Sequence, residues 1–133
     1  MAMWAAVRRF EKIDAQLKRL VNRRVAWWNG CQFSQDMNAA VGSQLGISTE
    51  KLNALHDYAK SPLFNAAEHV ALEYADAMTD TARDVDDALF ARVREHYDEE
   101  QIAELTMLIA WENASSRFNQ ALRVPSAGLW KRA

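Results

Sequence analysis

Cysteine, proline and glycine are scarce in this chain: one, two and four residues among 133. A single cysteine excludes an internal disulfide framework, so the fold must be held by buried apolar surface. It also fits a reducing compartment, where a lone thiol is either packing or chemistry. No apolar run approaches the length of a membrane span. The opening residues, Met1 to Arg9, show no apolar core or cleavage site of a signal peptide, so a cytoplasmic protein without a membrane partner is expected. Charge of one sign is missing as well: 16 basic against 18 acidic residues leave a net charge of -2. That balance gives no electrostatic reason for a nucleic-acid partner.

Half of the residues are apolar and about a quarter charged, as in an ordinary globular domain, and the length predicts one domain over residues 1–133. Basic residues gather early (Arg8, Arg9, Lys12, Lys18, Arg19, Arg23, Arg24), and the stretch from Thr79 to Glu104 is acidic. These read as two differently charged helix faces.

Helical periodicity runs through the whole sequence. From Trp4 to Trp28, Phe10, Ile13, Leu17, Leu20, Val21, Val25 and Trp28 recur at the spacing of one helix face, and Asn29-Gly30 stops it. Phe33, Met37, Val41 and Leu45 mark a short second helix ending near Gly46. Ser48 caps a third, which Ser61-Pro62 closes. Asn65 and Glu68 form a capping-box start for a helix through Met78, and Asp84 is the expected cap of the next. Asp98 and Gln101 open the last helix, from Glu99 to about Val124, before Pro125. The expected fold is all-α, a bundle of about six helices. The tail from Ser126 ends in Leu129 and Trp130, a tryptophan expected to dock on this subunit or a neighbour.

Cys31 stands where a glycine break ends and a helix begins. There a thiol faces unpaired backbone N–H groups and the positive end of the helix dipole, which favour thiolate. Ser34 lies three residues on, on the same face, and Asn38 extends that face by a turn. Phe33, Met37 and Val41 are then expected to form the buried side. Spacing alone leaves two readings of Cys31 open, a small buried hydrophobe or a nucleophile. On the last helix the apolar stripe Ile102, Leu105, Ile109 turns polar at Glu112, Ser116 and Asn119. This marks either a solvent edge or a pocket lined by a carboxylate. Glu112 is expected to be held by an arginine such as Arg24 or Arg117, to act as a proton acceptor near Cys31 with a raised pKa, or both. Asp36 reads as a surface residue or a dipole partner. His56, His69 and His96 show no paired spacing, so no metal is expected. Nothing resembles a phosphate-binding loop or a Ser-His-Asp set, and no cofactor is expected. Trp27 and Trp28 read as core or subunit interface.

The run Arg23-Arg24-Val25-Ala26-Trp27-Trp28-Asn29-Gly30-Cys31 resembles the approach to the CxxC redox site of the AhpD-like/carboxymuconolactone decarboxylase family. Ser61-Pro62-Leu63-Phe64, the run from Glu68 to Thr79, Ile109-Ala110-Trp111-Glu112-Asn113 and the run Arg117 to Leu122 extend the likeness over about Leu17 to Pro125. The resemblance implies an all-α fold in which the thiol-bearing helix packs on the helix of Glu112, and a homo-oligomer such as a dimer, trimer or hexamer. It implies activity on a hydroperoxide with a thiol reductant protein, or on a lactone by decarboxylation. The departures are specific. The second redox cysteine is Ser34, the two histidine positions of the peroxidase pattern are Phe33 and Asn38, and its acidic position on the preceding helix is Arg19. Serine forms no disulfide, so an oxidised Cys31 would need an external thiol. In many dithiol members the attacking sulfur is the second one, the position of Ser34. The leading expectation is a thiol-linked oxidoreductase impaired or altered by Ser34, with Cys31 attacking, Ser34 donating a hydrogen bond to it and Glu112 relaying a proton. The alternatives are a decarboxylase-like acid–base enzyme using Glu112 and an arginine, and a non-catalytic oligomer that binds a small ligand.

Overall fold

Short polar side chains start the helices. Asp14, Ser48, Asn65, Asp86 and Asp98 each accept a hydrogen bond from the backbone N–H three residues on, and Asn65–Glu68 and Asp98–Gln101 close reciprocal capping boxes. In the computed structural model, which describes residues 2–130 (the Trp4 side chain excepted), they open five of the seven α-helices. The seven are α1 (Ala2–Arg8), α2 (Ala15–Trp28), α3 (Gln32–Gln44), α4 (Thr49–Ala54), α5 (Ala66–Thr79), α6 (Asp87–His96) and α7 (Glu99–Ala121). A 3-10 helix, Leu55–Lys60, follows α4 directly. Among the described residues there is no strand, and no helix is long and apolar enough to cross a membrane.

The all-α expectation holds, and the extra helix has a local cause. The periodic stretch from Trp4 to Trp28 breaks at residues 9–14, because Asp14 caps a new helix through Leu17 N at 3.0 Å. The break is braced from α7: Glu104 Oε2 accepts the N–H groups of Lys12 (2.8 Å) and Ile13 (3.2 Å), and Gln101 Nε2 donates to Lys12 O (3.2 Å). Those amides would otherwise be orphaned at a helix junction. Two boundaries also differ from expectation. Asp86, not Asp84, caps α6, accepting from Leu89 N at 2.8 Å. And α7 stops at Ala121 rather than Val124, because Arg123 turns left-handed (φ 51°).

Helix α2 forms the axis of the core. It packs against α3, α5 and α7, with Leu20, Val21, Val25 and Ala26 fully enclosed. Gly42 in α3 lets the two helices close up: a side chain there would meet Ile47 Cδ1 at 3.0 Å and Arg19 Cβ at 3.5 Å. The tail does dock on its own subunit. Trp130 packs against the core, and Ser126 Oγ donates to Asp36. Asp36 is accordingly buried rather than a surface residue, and accepts from Gln32 Nε2 at 2.7 Å as well.

Candidate active site

The turn that carries the cysteine belongs to two helices at once. Gly30 adopts φ +67°, its N–H bonds to Trp27 O (3.1 Å), and Cys31 N bonds to Ala26 O (2.9 Å). That pair of bonds is the Schellman ending of α2. Cys31 then serves as the N-cap of α3, its carbonyl accepting from Gln35 N at 3.1 Å, while its side chain caps no backbone N–H. The sulfur therefore sits at the opening of a helix, where the dipole favours negative charge. It is almost wholly enclosed, at 1% exposure.

The face of α3 that points inward is the polar one. Ser34 (2%), Asn38 (1%) and Cys31 are buried, whereas Phe33, Met37 and Val41, expected to form the buried side, are only half covered. The inversion follows from the neighbours, because α2 and α7 offer this face polar partners. Ser34 Oγ donates to Glu112 Oε1. Asn38 Nδ2 donates to Ser34 Oγ (3.1 Å) and to Ser34 O (2.8 Å), and Arg19 Nη1 donates to Asn38 Oδ1 (3.1 Å). One chain of hydrogen bonds thus runs Arg19–Asn38–Ser34–Glu112 across three helices. The serine proton expected at Cys31 is directed at Glu112.

Glu112 is 3% exposed, and Ser116, one turn on, is fully buried, so at these two positions the α7 stripe lines the interior, and only at the half-buried Asn119 does it approach solvent. Burial pushes the Glu112 carboxyl up to about 7; the Ser34 hydrogen bond and the Arg19 charge oppose that rise without cancelling it. Neither arginine expected to hold it does so. Arg24 pairs with Asp76 (Nε–Oδ1 2.7 Å), and Arg117 reaches only Thr79 O (3.5 Å). Asp76 escaped the sequence reading, although an acid inside the apolar run Val70–Met78 is the signal that could have marked it. It also accepts from Trp28 Nε1 and Tyr58 OH, both at 2.7 Å, which anchors the end of α2 just before the Cys31 turn. Trp27 and Trp28 remain well exposed beside this cluster, and the Arg24 guanidinium lies 4.3 Å over the Trp27 ring.

From Glu112 the network continues outward: Ser116 Oγ donates to Glu112 O (2.7 Å) and accepts from Asn29 Nδ2 (2.8 Å). Asn29 borders an open cleft of about 360 Å³ together with Trp28, Thr79, Arg117 and Gln120. Gly30 also faces Gln120, whose Nε2 would lie 3.8 Å from a side chain at that position. Ser34 and Glu112 are thus joined in the interior, with Asn38 and Arg19 extending the network over α3 and α2, and Cys31 is buried one helical turn before Ser34. Such a site can hold a thiol at a helix opening and move a proton at a carboxyl poised near neutrality.

The chain matches the model of the carboxymuconolactone decarboxylase family over residues 1–77. It is 39% identical over 122 residues to YnjA of Escherichia coli K12, an uncharacterized protein, covering 92% of this chain and 67% of that one. To YdfG of Bacillus subtilis 168, also uncharacterized, it is 32% identical over 111 residues, covering 83% and 76%. Among solved structures, a protein of unknown function from Agrobacterium tumefaciens, described as a candidate antioxidant-defence protein AhpD, superposes with a TM-score of 0.90 at 26% identity over 95% of this chain and 86% of that one. The debrominase Bmp8 superposes at 0.86 with 21% identity, over 96% and 69%, a likeness of fold alone. The thiol at the α2–α3 junction, the helical scaffold around it and these matches agree: the chain belongs to the carboxymuconolactone decarboxylase family and has an AhpD-like fold.

Proposed function

We propose that the protein is a thiol-linked oxidoreductase in which Cys31 reduces a small hydroperoxide without a partner cysteine. The observation that carries this reading is the buried Ser34–Glu112 pair one helical turn from Cys31, with a carboxyl titrating at about 7. The Cys31 thiolate attacks the outer oxygen of ROOH, the O–O bond breaks, and the sulfur becomes sulfenic acid. The departing alkoxide takes its proton from the Glu112 carboxyl, which Ser34 holds in place, and leaves as ROH. A first external thiol then condenses with the sulfenic acid to a mixed disulfide, releasing water. A second external thiol resolves it, returning Cys31 to the thiol and leaving as disulfide. Ser34 cannot resolve the sulfenic acid, so the reductant must come from outside the chain. The exposed Phe118 and Leu122 of α7 and the half-covered Phe33 and Met37 of α3 support a homo-oligomer as its working form.

A second reading is acid–base decarboxylation of a small carboxylated lactone. It is favoured by Arg19 and Glu112 sharing one hydrogen-bond chain, a cation and a carboxyl near neutrality. One pair of variants separates the two. Under hydroperoxide, the thiol-linked protein gains a sulfenic adduct at Cys31 in intact mass spectra, and Cys31→Ser abolishes thiol-dependent peroxide turnover. Glu112→Gln slows the same turnover by roughly a hundredfold, the worth of one positioned proton donor. Absence of a sulfenic adduct and of peroxide turnover in the parent, with decarboxylation of a carboxylated lactone that survives Cys31→Ser and is lost in Glu112→Gln, would overturn the redox reading in favour of the acid–base one.

A further inference from the structure

The buried chain of hydrogen bonds begins two residues away from anything that reacts. Arg19 Nη1 faces Asn38 Oδ1, which fixes the amide one way round and aims its Nδ2 at Ser34. Ser34 Oγ therefore receives a hydrogen bond on one side, and its only proton has one destination left, Glu112 Oε1. Were the amide reversed, its oxygen would compete with Glu112 for that proton.

We infer that Arg19 and Asn38 are positioning residues that commit the Ser34 hydroxyl to Glu112. The inference deepens the function proposed above, since it concerns the same carboxyl. The Glu112 carboxyl is met by the Ser34 hydroxyl from α3 and feels the Arg19 charge from α2, while Ser116 on its own helix bonds its backbone carbonyl; of these only Arg19 is charged. A donated hydrogen bond stabilises the ionised carboxyl. Disorienting the serine must then raise the pH at which Glu112 ionises, and with it the pH window in which the site can both give and take a proton.

The test reads the Glu112 carboxyl directly in the full-length protein, by infrared difference titration with Glu112→Gln to assign the band. Asn38→Leu, neutral and of similar size, is expected to bind the Glu112 proton about three- to tenfold more tightly than the parent, the effect of one charge-assisted hydrogen bond. Arg19→Met and Arg19→Gln both remove the charge, but only glutamine can still donate to Asn38. The inference expects methionine to raise the midpoint beyond glutamine, and the difference to vanish when Asn38 is leucine. A midpoint in Asn38→Leu within about twofold of the parent overturns it, as does identity of the two Arg19 variants, which decide the matter alone if Asn38→Leu does not fold. Inertness of every variant toward peroxide would remove the proposed activity and leave this titration standing.

Discussion

Asp76 takes four hydrogen bonds: from Arg24 Nε (2.7 Å) and Trp28 Nε1 (2.7 Å) on one oxygen, and from Arg24 Nη2 (3.2 Å) and Tyr58 OH (2.7 Å) on the other. Every partner is on another element, so one carboxylate ties α2 and the 3-10 helix to α5. Burial and the Asp76 hydrogen bond hold the Tyr58 hydroxyl well above its ordinary range, so Tyr58 donates at any working pH. Removing the carboxylate would leave Arg24 charged and enclosed, with His56 O (3.0 Å) as its remaining hydrogen-bond acceptor and aromatic rings around it. Asp76→Ala is therefore expected to lose about 3–5 kcal/mol in urea unfolding, the usual cost of stripping one member from a buried pair. A loss under 1 kcal/mol would mean the pair only balances its own desolvation. Because Trp28 precedes the Cys31 turn, the same variant should also loosen the thiol, read as faster alkylation of Cys31.

Two helix endings share one geometry but not one residue type, and this yields a paired prediction. Gly30 ends α2 at φ +67°, and Arg123 ends α7 at φ 51°, each followed by a residue whose N–H reaches back five positions (Cys31 to Ala26, Val124 to Asn119). The space at Gly30 is open, with Gln120 Nε2 nearest at 3.8 Å, so Gly30→Ala should cost about 1 kcal/mol through backbone strain alone. Arg123→Gly should gain about 0.5–1 kcal/mol for the same reason reversed. Thermal unfolding of both variants checks the signs; a stabilised Gly30→Ala would refute the argument. Much of this element structure was legible beforehand, because caps and glycine stops are local chemistry: Ser48, Asn65, Asp98, Gly30 and Gly46 all stand where spacing placed them. What was not legible depended on distant partners. The α1–α2 break is satisfied by Glu104, some ninety residues away in the chain. The inward face of α3 is polar because Arg19 and Glu112 wait for it, whereas periodicity assigned burial to Phe33, Met37 and Val41. Pattern reading equates buried with apolar, and an interior of paired polar groups breaks that equation.

At the scale of the whole molecule, the core around Leu20, Val21, Val25 and Ala26 of α2 is apolar, yet a polar seam runs beside it from Arg19 to Ser116. Enclosing that seam has a consequence for stability that depends on pH. Glu112 ionises at about 7 in the folded chain against an ordinary 4.5, so between those values the native state holds a proton that the unfolded state has released. Stability must therefore fall as pH rises through this window, by on the order of 3 kcal/mol in all, and level off above it. The sign is opposite to that of a salt-bridged carboxylate, because desolvation outweighs both Arg19 and Ser34 here. Glu112→Gln carries no such proton, so its unfolding free energy should stay level from pH 5 to pH 8 wherever Glu112 dominates. Urea unfolding of both proteins across that range measures the difference directly. The two curves should lie closest near pH 5, where both side chains are neutral, and diverge toward pH 8 with the glutamine variant the more stable. Parallel curves would mean that the carboxyl titrates like an exposed one, and that water solvates it.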